Sequence, residues 1–94
     1  MFKSVNPATG EEIATYPELT AAEVDAKIDK AVAAFRKWRT TDLAERSALL
    51  NRIGDQYQAN RERLARMATL EMGKTYASAL AEVDKCISGF RVYA

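Results

Sequence analysis

The sequence predicts a mainly α-helical protein in which a short N-terminal β-hairpin is followed by four helices. Residues 1–19 combine short strand-like runs with turn-forming residues, whereas residues 20–94 hold four stretches with apolar side chains at helical spacing. Capping residues separate these stretches. The length of 94 residues suits a single small domain over residues 1–94, with the hairpin in 1–19 and the helices in 20–94.

The hairpin is predicted from two short runs and the turn between them. Phe2–Val5 is strand-like, and Glu11–Tyr16 has an imperfect alternation of polar and apolar side chains. The intervening segment Asn6–Gly10 contains a proline, which fixes φ, and a glycine, which permits positive φ. Because an isolated hairpin is marginally stable in water, we expect it to lie against another part of the chain.

The first two helices follow from their start signals and apolar spacing. A Thr-x-x-Glu capping-box pattern begins at Thr20 and predicts a helix over Ala21–Arg39. Asp42 is placed to cap a second helix over Leu43–Gln58. Gly54 lies inside this second helix, where glycine costs about 1 kcal/mol relative to alanine.

Two further helices complete the prediction. Asn60 is placed to cap a helix over Arg61–Met72, and Gly73 to end it in a left-handed conformation. The last helix is expected over Tyr76–Ala94. Its apolar residues form two adjoining stripes, and so broad an apolar arc implies contacts on more than one side. The stripes are Leu80, Val83, Ile87 and Phe90, and Ala79, Cys86 and Tyr93.

The composition is that of an ordinary globular protein, with 48% hydrophobic and 29% charged residues. The net charge is +1, so we expect neither a nucleic-acid partner nor attraction to an anionic membrane. No apolar run approaches the roughly 20 residues of a membrane span, and the N-terminus lacks a secretory signal. With a single cysteine, these features predict a cytoplasmic location.

Two surface features are better explained by structure than by ligand binding. Four arginines interspersed with acidic residues favour a solvated helix face over a phosphate-binding patch. Three aromatic residues at helical spacing favour core packing over a base-stacking surface. The arginines are Arg52, Arg61, Arg63 and Arg66, and the aromatic residues are Phe35, Trp38 and Tyr57.

Most catalytic arrangements are excluded by composition. The chain has no histidine, and its four glycines form no nucleotide-binding motif. Cys86 falls within an apolar stripe in the middle of a helix, so we expect a buried small hydrophobe rather than a nucleophile. We therefore predict no catalytic and no cofactor-binding residue.

Glu71 is the one charged residue whose position in a helix is unfavourable unless a positive charge lies nearby. A carboxylate near a helix C-terminus opposes the helix dipole. An ion pair with Lys74 would compensate it, and so would a bound cation. The residues themselves leave both interpretations open.

Several segments resemble the aldehyde dehydrogenase family. Val5–Glu11 is similar to the family's V-N-P-x-T-G-E hairpin, and Thr69–Lys74 to its T-x-E-x-G-K segment. Ala31–Trp38, Ala44–Arg46 and Arg91–Ala94 resemble parts of its helices. Each motif alone is weak, but together they occur in the family's order and spacing over essentially the whole chain. Within the family, the overall sequence pattern is most similar to that of bacterial succinate-semialdehyde dehydrogenases.

The sequence departs from the family pattern at three positions. Thr75 stands where the family commonly has proline after G-K, and it can cap the next helix instead. Gly54 and Gly89 stand where helix-forming residues are usual.

The resemblance implies a fragment of an α/β enzyme that oxidises an aldehyde, with succinate semialdehyde a candidate, using NAD or NADP. The family's nucleophilic cysteine, general-base glutamate and coenzyme domain lie downstream of the matched segment. We therefore expect this chain to be inert alone, to hold no coenzyme and to pack against the remainder of the parent enzyme. The family's structural monovalent-cation site implies a partial metal site at Val5, through its backbone carbonyl, and Glu71.

Two other interpretations stay open. The chain could be a standalone structural or interaction module that self-associates through exposed apolar helix faces, with the last helix in the interface. Catalysis of a new kind is disfavoured, because the sequence has no histidine and no pocket signature.

Overall fold

A computed structural model describes all 94 residues as a two-stranded hairpin followed by four helices, which confirms the predicted fold class. The predicted bounds differ from the observed ones by one residue at the start of the second strand and at the ends of three helices. The elements are β1 (Phe2–Val5), β2 (Glu12–Tyr16), α1 (Ala21–Trp38), α2 (Leu43–Ala59), α3 (Arg61–Met72) and α4 (Tyr76–Tyr93).

The hairpin pairs β1 and β2 antiparallel, with Phe2 opposite Tyr16 and an irregular register between Ser4 and Val5. The turn closes on itself, because the backbone N–H of Gly10 donates to the carbonyl of Asn6 at 2.8 Å. Gly10 has φ of 76°, a conformation that glycine adopts without a steric cost.

Threonines cap α1 and α4 as predicted. The backbone N–H of Glu23 donates to Thr20 Oγ1 at 3.2 Å, and the N–H of Thr20 donates to Glu23 Oε2 at 2.7 Å. The Thr20 hydroxyl also donates to Glu23 Oε2, at 3.0 Å. The backbone donor of Thr20 first, and this hydroxyl second, hold the pKa of the Glu23 carboxyl below its ordinary value. At α4, Thr75 Oγ1 accepts from the N–H of Ser78 at 3.3 Å, which confirms the predicted cap at Thr75.

The predicted side-chain caps at Asp42 and Asn60 are wrong. Asp42 has extended backbone before α2 but makes no capping hydrogen bond. Asn60 ends α2 and precedes α3 at once, and its φ of −107° and ψ of 17° are not those of an extended cap residue. Its side-chain amide instead donates to the carbonyl of Gln56 at 2.8 Å, so it closes α2 rather than opening α3.

The helices α2, α3 and α4 form one layer with α4 packed against both neighbours, which confirms contacts on two sides of the last helix. The core of this layer is small and consists of Ala65, Ala79 and Val83. Tyr57 and Phe90 extend it, with ring centroids 5.0 Å apart, so core packing of Tyr57 is confirmed.

Helix α1 lies outside this layer and has no buried residue. Phe35 is 60% exposed and Trp38 is 38% exposed, so their predicted core packing is wrong. The spacing of apolar residues fixes which side of a helix is apolar, but it does not determine whether another element covers that side. The chain is accordingly extended: its radius of gyration is 17.3 Å, against about 12 Å for a compact domain of this length.

The glycine inside α2 has a packing reason. An added Cβ at Gly54 would lie 3.0 Å from Cζ of Arg91. Arg91 belongs to α4, and its guanidinium group packs against this turn of α2. Arg91 donates to the carbonyl of Asn51 at 2.7 Å and to Asp55 Oδ1 at 2.6 Å. Nothing lies within 4 Å of an added Cβ at Gly89, so that glycine has no steric role in this chain.

Candidate functional site

The junction between the hairpin and the end of α3 brings the two family-like motifs together. Ser4 Oγ donates to Glu71 Oε1 at 3.1 Å. Pro7 packs beside Gly73, where an added Cβ would lie 3.0 Å from Cγ of the proline. The hairpin thus rests on the last turn of α3, which supplies the support that an isolated hairpin needs.

The local sequence explains how α3 presents this surface. Gly73 has φ of 74°, and its N–H donates to the carbonyl of Thr69 at 3.0 Å, which confirms the predicted left-handed helix end. The chain turns at Gly73, two residues after Glu71, and the Glu71 carboxylate lies in the last turn of the helix beside Ser4 of β1.

Of the two interpretations of Glu71, the ion pair with Lys74 is wrong. The left-handed turn at Gly73 carries Lys74 towards α4, where its Nζ lies 2.6 Å from Glu82 Oε2. This hydrogen bond and the charge of the ammonium group hold the pKa of the Glu82 carboxyl below its ordinary value. The partner of Glu71 within the chain is the Ser4 hydroxyl, a neutral group that leaves the carboxylate's charge uncompensated.

The two residues of the expected cation site lie at the same junction. Val5 follows Ser4 directly in β1, at the register irregularity, and Ser4 contacts the Glu71 carboxylate. Glu71 belongs to no group of three or more His, Cys, Asp or Glu side chains. A cation here would therefore depend on backbone carbonyls as well as on one carboxylate, which suits a hard monovalent ion. The roles of Ser4 and Pro7 carry no local sequence signal, because their partners Glu71 and Gly73 are distant along the chain.

Cys86 is exposed, so its predicted burial is wrong. The side of α4 that carries it opens onto a shallow groove against α2 that no other element fills. The groove is lined by Leu50, Tyr57, Cys86, Gly89, Phe90 and Tyr93. None of these residues is charged, so the groove offers the thiol no general base.

Two of the four arginines of the arginine-rich stretch, Arg61 and Arg63, make intramolecular contacts. Arg61 donates to both carboxylate oxygens of Asp84 and ties α3 to α4. This pairing raises the pKa of the Arg61 guanidinium and lowers that of the Asp84 carboxyl. Arg63 donates to Asn60 Oδ1 at 3.3 Å. These contacts support a solvated helix face rather than a phosphate-binding patch. None of the helices combines the length and apolarity that crossing a membrane requires.

Comparisons with known proteins give one consistent result. A family model described as the aldehyde dehydrogenase family matches residues 1–94. Succinate-semialdehyde dehydrogenase [NADP(+)] 1 of Mycobacterium tuberculosis is 46% identical over 91 residues, which cover 97% of this chain and 20% of the relative. The corresponding enzyme of Mycobacterium leprae is 42% identical over 91 residues, with the same coverage.

A solved structure with the same arrangement is glyceraldehyde-3-phosphate dehydrogenase GapN from Methanocaldococcus jannaschii, complexed with NADP. It has a TM-score of 0.91 and 26% sequence identity, over 98% of this chain and 20% of that one. The chain thus spans about a fifth of the length of the relatives that it matches.

Proposed function

The chain belongs to the aldehyde dehydrogenase family, and we propose that it forms the N-terminal segment of an NADP-dependent enzyme that oxidises succinate semialdehyde to its acid. The observation that carries the proposal is the 46% identity to an NADP-dependent succinate-semialdehyde dehydrogenase over 97% of this chain. We place the enzyme in the cytoplasm, in keeping with the balanced charge and the single cysteine.

The role of this segment within the enzyme is structural. Its α1 helix is held by no packing partner among these 94 residues, yet the whole chain superposes on a much longer enzyme with a TM-score of 0.91. This combination favours an arrangement in which the remainder of the enzyme covers α1 and so keeps the helix in place. The remainder is the partner that we propose for the exposed apolar face of α1.

Coenzyme binding and catalysis are assigned to the remainder as well. The four glycines of this chain lie far apart and form no glycine-rich phosphate-binding motif, which favours coenzyme binding by the remainder. Cys86 lies in an apolar groove without a base, which argues against a role as nucleophile. What this segment contributes is a supported hairpin and three packed helices on which the coenzyme-binding part can fold.

A chimera tests this function directly. The corresponding N-terminal segment of the Mycobacterium tuberculosis relative would be replaced by these 94 residues, and NADPH formation from succinate semialdehyde would be followed. We expect an active chimera, no activity from the 94-residue chain alone, and none from the relative without an N-terminal segment. Hydride transfer by the chain alone, or a folded chimera that is inactive, would contradict the proposal.

We also propose that the Val5 carbonyl and the Glu71 carboxylate contribute two ligands to a monovalent-cation site of the enzyme. Support comes from the Ser4–Glu71 hydrogen bond of 3.1 Å, which holds the carboxylate beside β1. The active chimera should unfold at a higher temperature in sodium or potassium chloride than in choline chloride of equal ionic strength. Glu71→Gln should abolish this difference, whereas Glu62→Gln, an exposed acid in the same helix, should keep it. A cation dependence that survives Glu71→Gln would rule the site out.

A further inference from the structure

The Glu71 carboxylate takes part in none of the ion pairs of the chain. Lys74, three residues further along, contacts Glu82 instead. Lys3, the neighbour of Ser4 in β1, forms an ion pair within the hairpin. The one hydrogen bond to the Glu71 side chain comes from the Ser4 hydroxyl, which donates to Oε1. A neutral group thus contacts the carboxylate, and no positive side chain of this chain competes with an external cation for it.

The hydrogen bond between Ser4 and Glu71 orients the carboxylate without neutralising its charge. Its length of 3.1 Å exceeds the about 2.5–2.7 Å of a strong bond between a hydroxyl and a carboxylate. Only Oε1 accepts it, so Oε2 keeps its full capacity to bind a cation. Ser4 is half-buried in β1, whereas Glu71 is exposed. The serine is therefore the better fixed member of the pair, and the glutamate is the side chain that it restrains.

The backbone around Val5 is restrained as well. The register of the hairpin changes between Ser4 and Val5 and leaves Ile13 of β2 without a partner, which is the arrangement of a β-bulge. Asn6, the next residue, has its N–H, its carbonyl and its side-chain oxygen all engaged in hydrogen bonds within the hairpin. Val5 therefore lies between a residue that contacts α3 and a closed turn. Movement of its carbonyl relative to the Glu71 carboxylate is restricted.

We propose that Ser4 is a positioning residue of the cation site: its hydroxyl holds the Glu71 carboxylate against β1, so that Oε2 and the Val5 carbonyl bind the same monovalent cation. Without the hydroxyl, the exposed glutamate would lose its side-chain freedom only when the cation binds, and the affinity would fall by that cost. This role rests on the proposed cation site and deepens it, because it names the residue that prepares the carboxylate for the ion.

Thermal unfolding of the chimera measures this contribution. Sodium chloride would replace choline chloride at constant ionic strength, and the rise in unfolding temperature gives an apparent dissociation constant for sodium. We expect Ser4→Ala to raise this constant about three- to ten-fold, the effect of losing one hydrogen bond. Ser4→Thr keeps the hydroxyl and should restore the original constant. Thr15→Ala removes a hydroxyl from an exposed position of β2 and should leave the constant unchanged.

The comparison of the two salts separates positioning from a general contribution to stability. If Ser4 only stabilised the hairpin, Ser4→Ala would lower the unfolding temperature equally in sodium and in choline chloride and leave the dissociation constant unchanged. That result, with the sodium effect abolished by Glu71→Gln, would overturn the role of Ser4 and leave the cation site intact. Failure of Ser4→Thr to restore the constant would also overturn it.

Absence of any sodium effect in the unsubstituted chimera would overturn the cation site and the role of Ser4 together. The proposed oxidation of succinate semialdehyde would stand in each case, because it is tested separately by NADPH formation.

Discussion

Replacing Ala79 with leucine is expected to lower the free energy of unfolding by about 1–3 kcal/mol, the usual cost of overpacking a closely packed site. Ala65 and Ala79 are both 0% exposed and lie in the same core cluster between α3 and α4. A leucine at Ala79 can be accommodated only if the two helices move apart. Such a movement would also loosen Val83, the remaining buried member of the cluster.

Urea unfolding followed by circular dichroism measures this effect. The control is Ala33→Leu, which makes the same chemical change at an exposed position of α1. We expect the control to alter stability by no more than about 0.5 kcal/mol. Equal destabilisation by both substitutions would show that helix propensity, rather than the close approach of α3 and α4, governs the result.

The elements of this fold are predictable from sequence because their signals are local. The capping threonines Thr20 and Thr75 and the helix-ending Gly73 act on backbone within four residues of themselves. Helical periodicity likewise depends only on neighbours along the chain. For this reason the bounds of six elements could be predicted within one residue.

Burial could not be predicted in the same way, since it depends on which faces meet. Phe35 and Cys86 both lie on apolar stripes, and both are exposed because no element of this chain lies opposite them. The stripe of α4 shows the contrast, because Ala79 on it is fully buried. The proposed function places the partner of the exposed α1 face in the remainder of the enzyme, and no local pattern distinguishes such a face from core.

The candidate site contains one residue that a local sequence signal identifies and one partner that only the fold reveals. Glu71 could be singled out locally, because a carboxylate near a helix C-terminus needs compensation. Its partner could not be, because Ser4 lies 67 residues away along the chain, whereas Lys74 is nearby but turns towards Glu82. Val5 is predicted as a cation ligand only by the family resemblance, because its own sequence context gives no such signal. In the structure it lies next to Ser4, which donates to Glu71.

Replacing Gly73 with alanine is expected to have the second large effect, and Gly10→Ala provides a matched comparison. Both glycines have nearly the same positive φ, 74° and 76°. Alanine in this conformation costs about 1–2 kcal/mol at either position. The gain from a less flexible unfolded chain is also the same for both substitutions and cancels in the comparison.

The two positions differ in what an added methyl group would meet. At Gly10 nothing lies within 4 Å, whereas at Gly73 the ring of Pro7 lies 3.0 Å away. A proline ring is fixed to the backbone and cannot swing aside, so the hairpin must move from the end of α3. We therefore expect Gly73→Ala to destabilise the chain more than Gly10→Ala in urea unfolding, by about 1 kcal/mol or more.

A double-mutant cycle with Pro7→Ala separates the steric contribution from the backbone strain. Without the proline ring the added methyl group at Gly73 has room, so Gly73→Ala should then cost no more than Gly10→Ala does. Because the Ser4–Glu71 hydrogen bond depends on the same contact between hairpin and helix, the amide protons of β1 should exchange faster in Gly73→Ala alone. Identical costs for the two single substitutions would mean that the Pro7 contact does not hold the hairpin on α3. The junction that unites the two family motifs would then rest on the Ser4–Glu71 hydrogen bond.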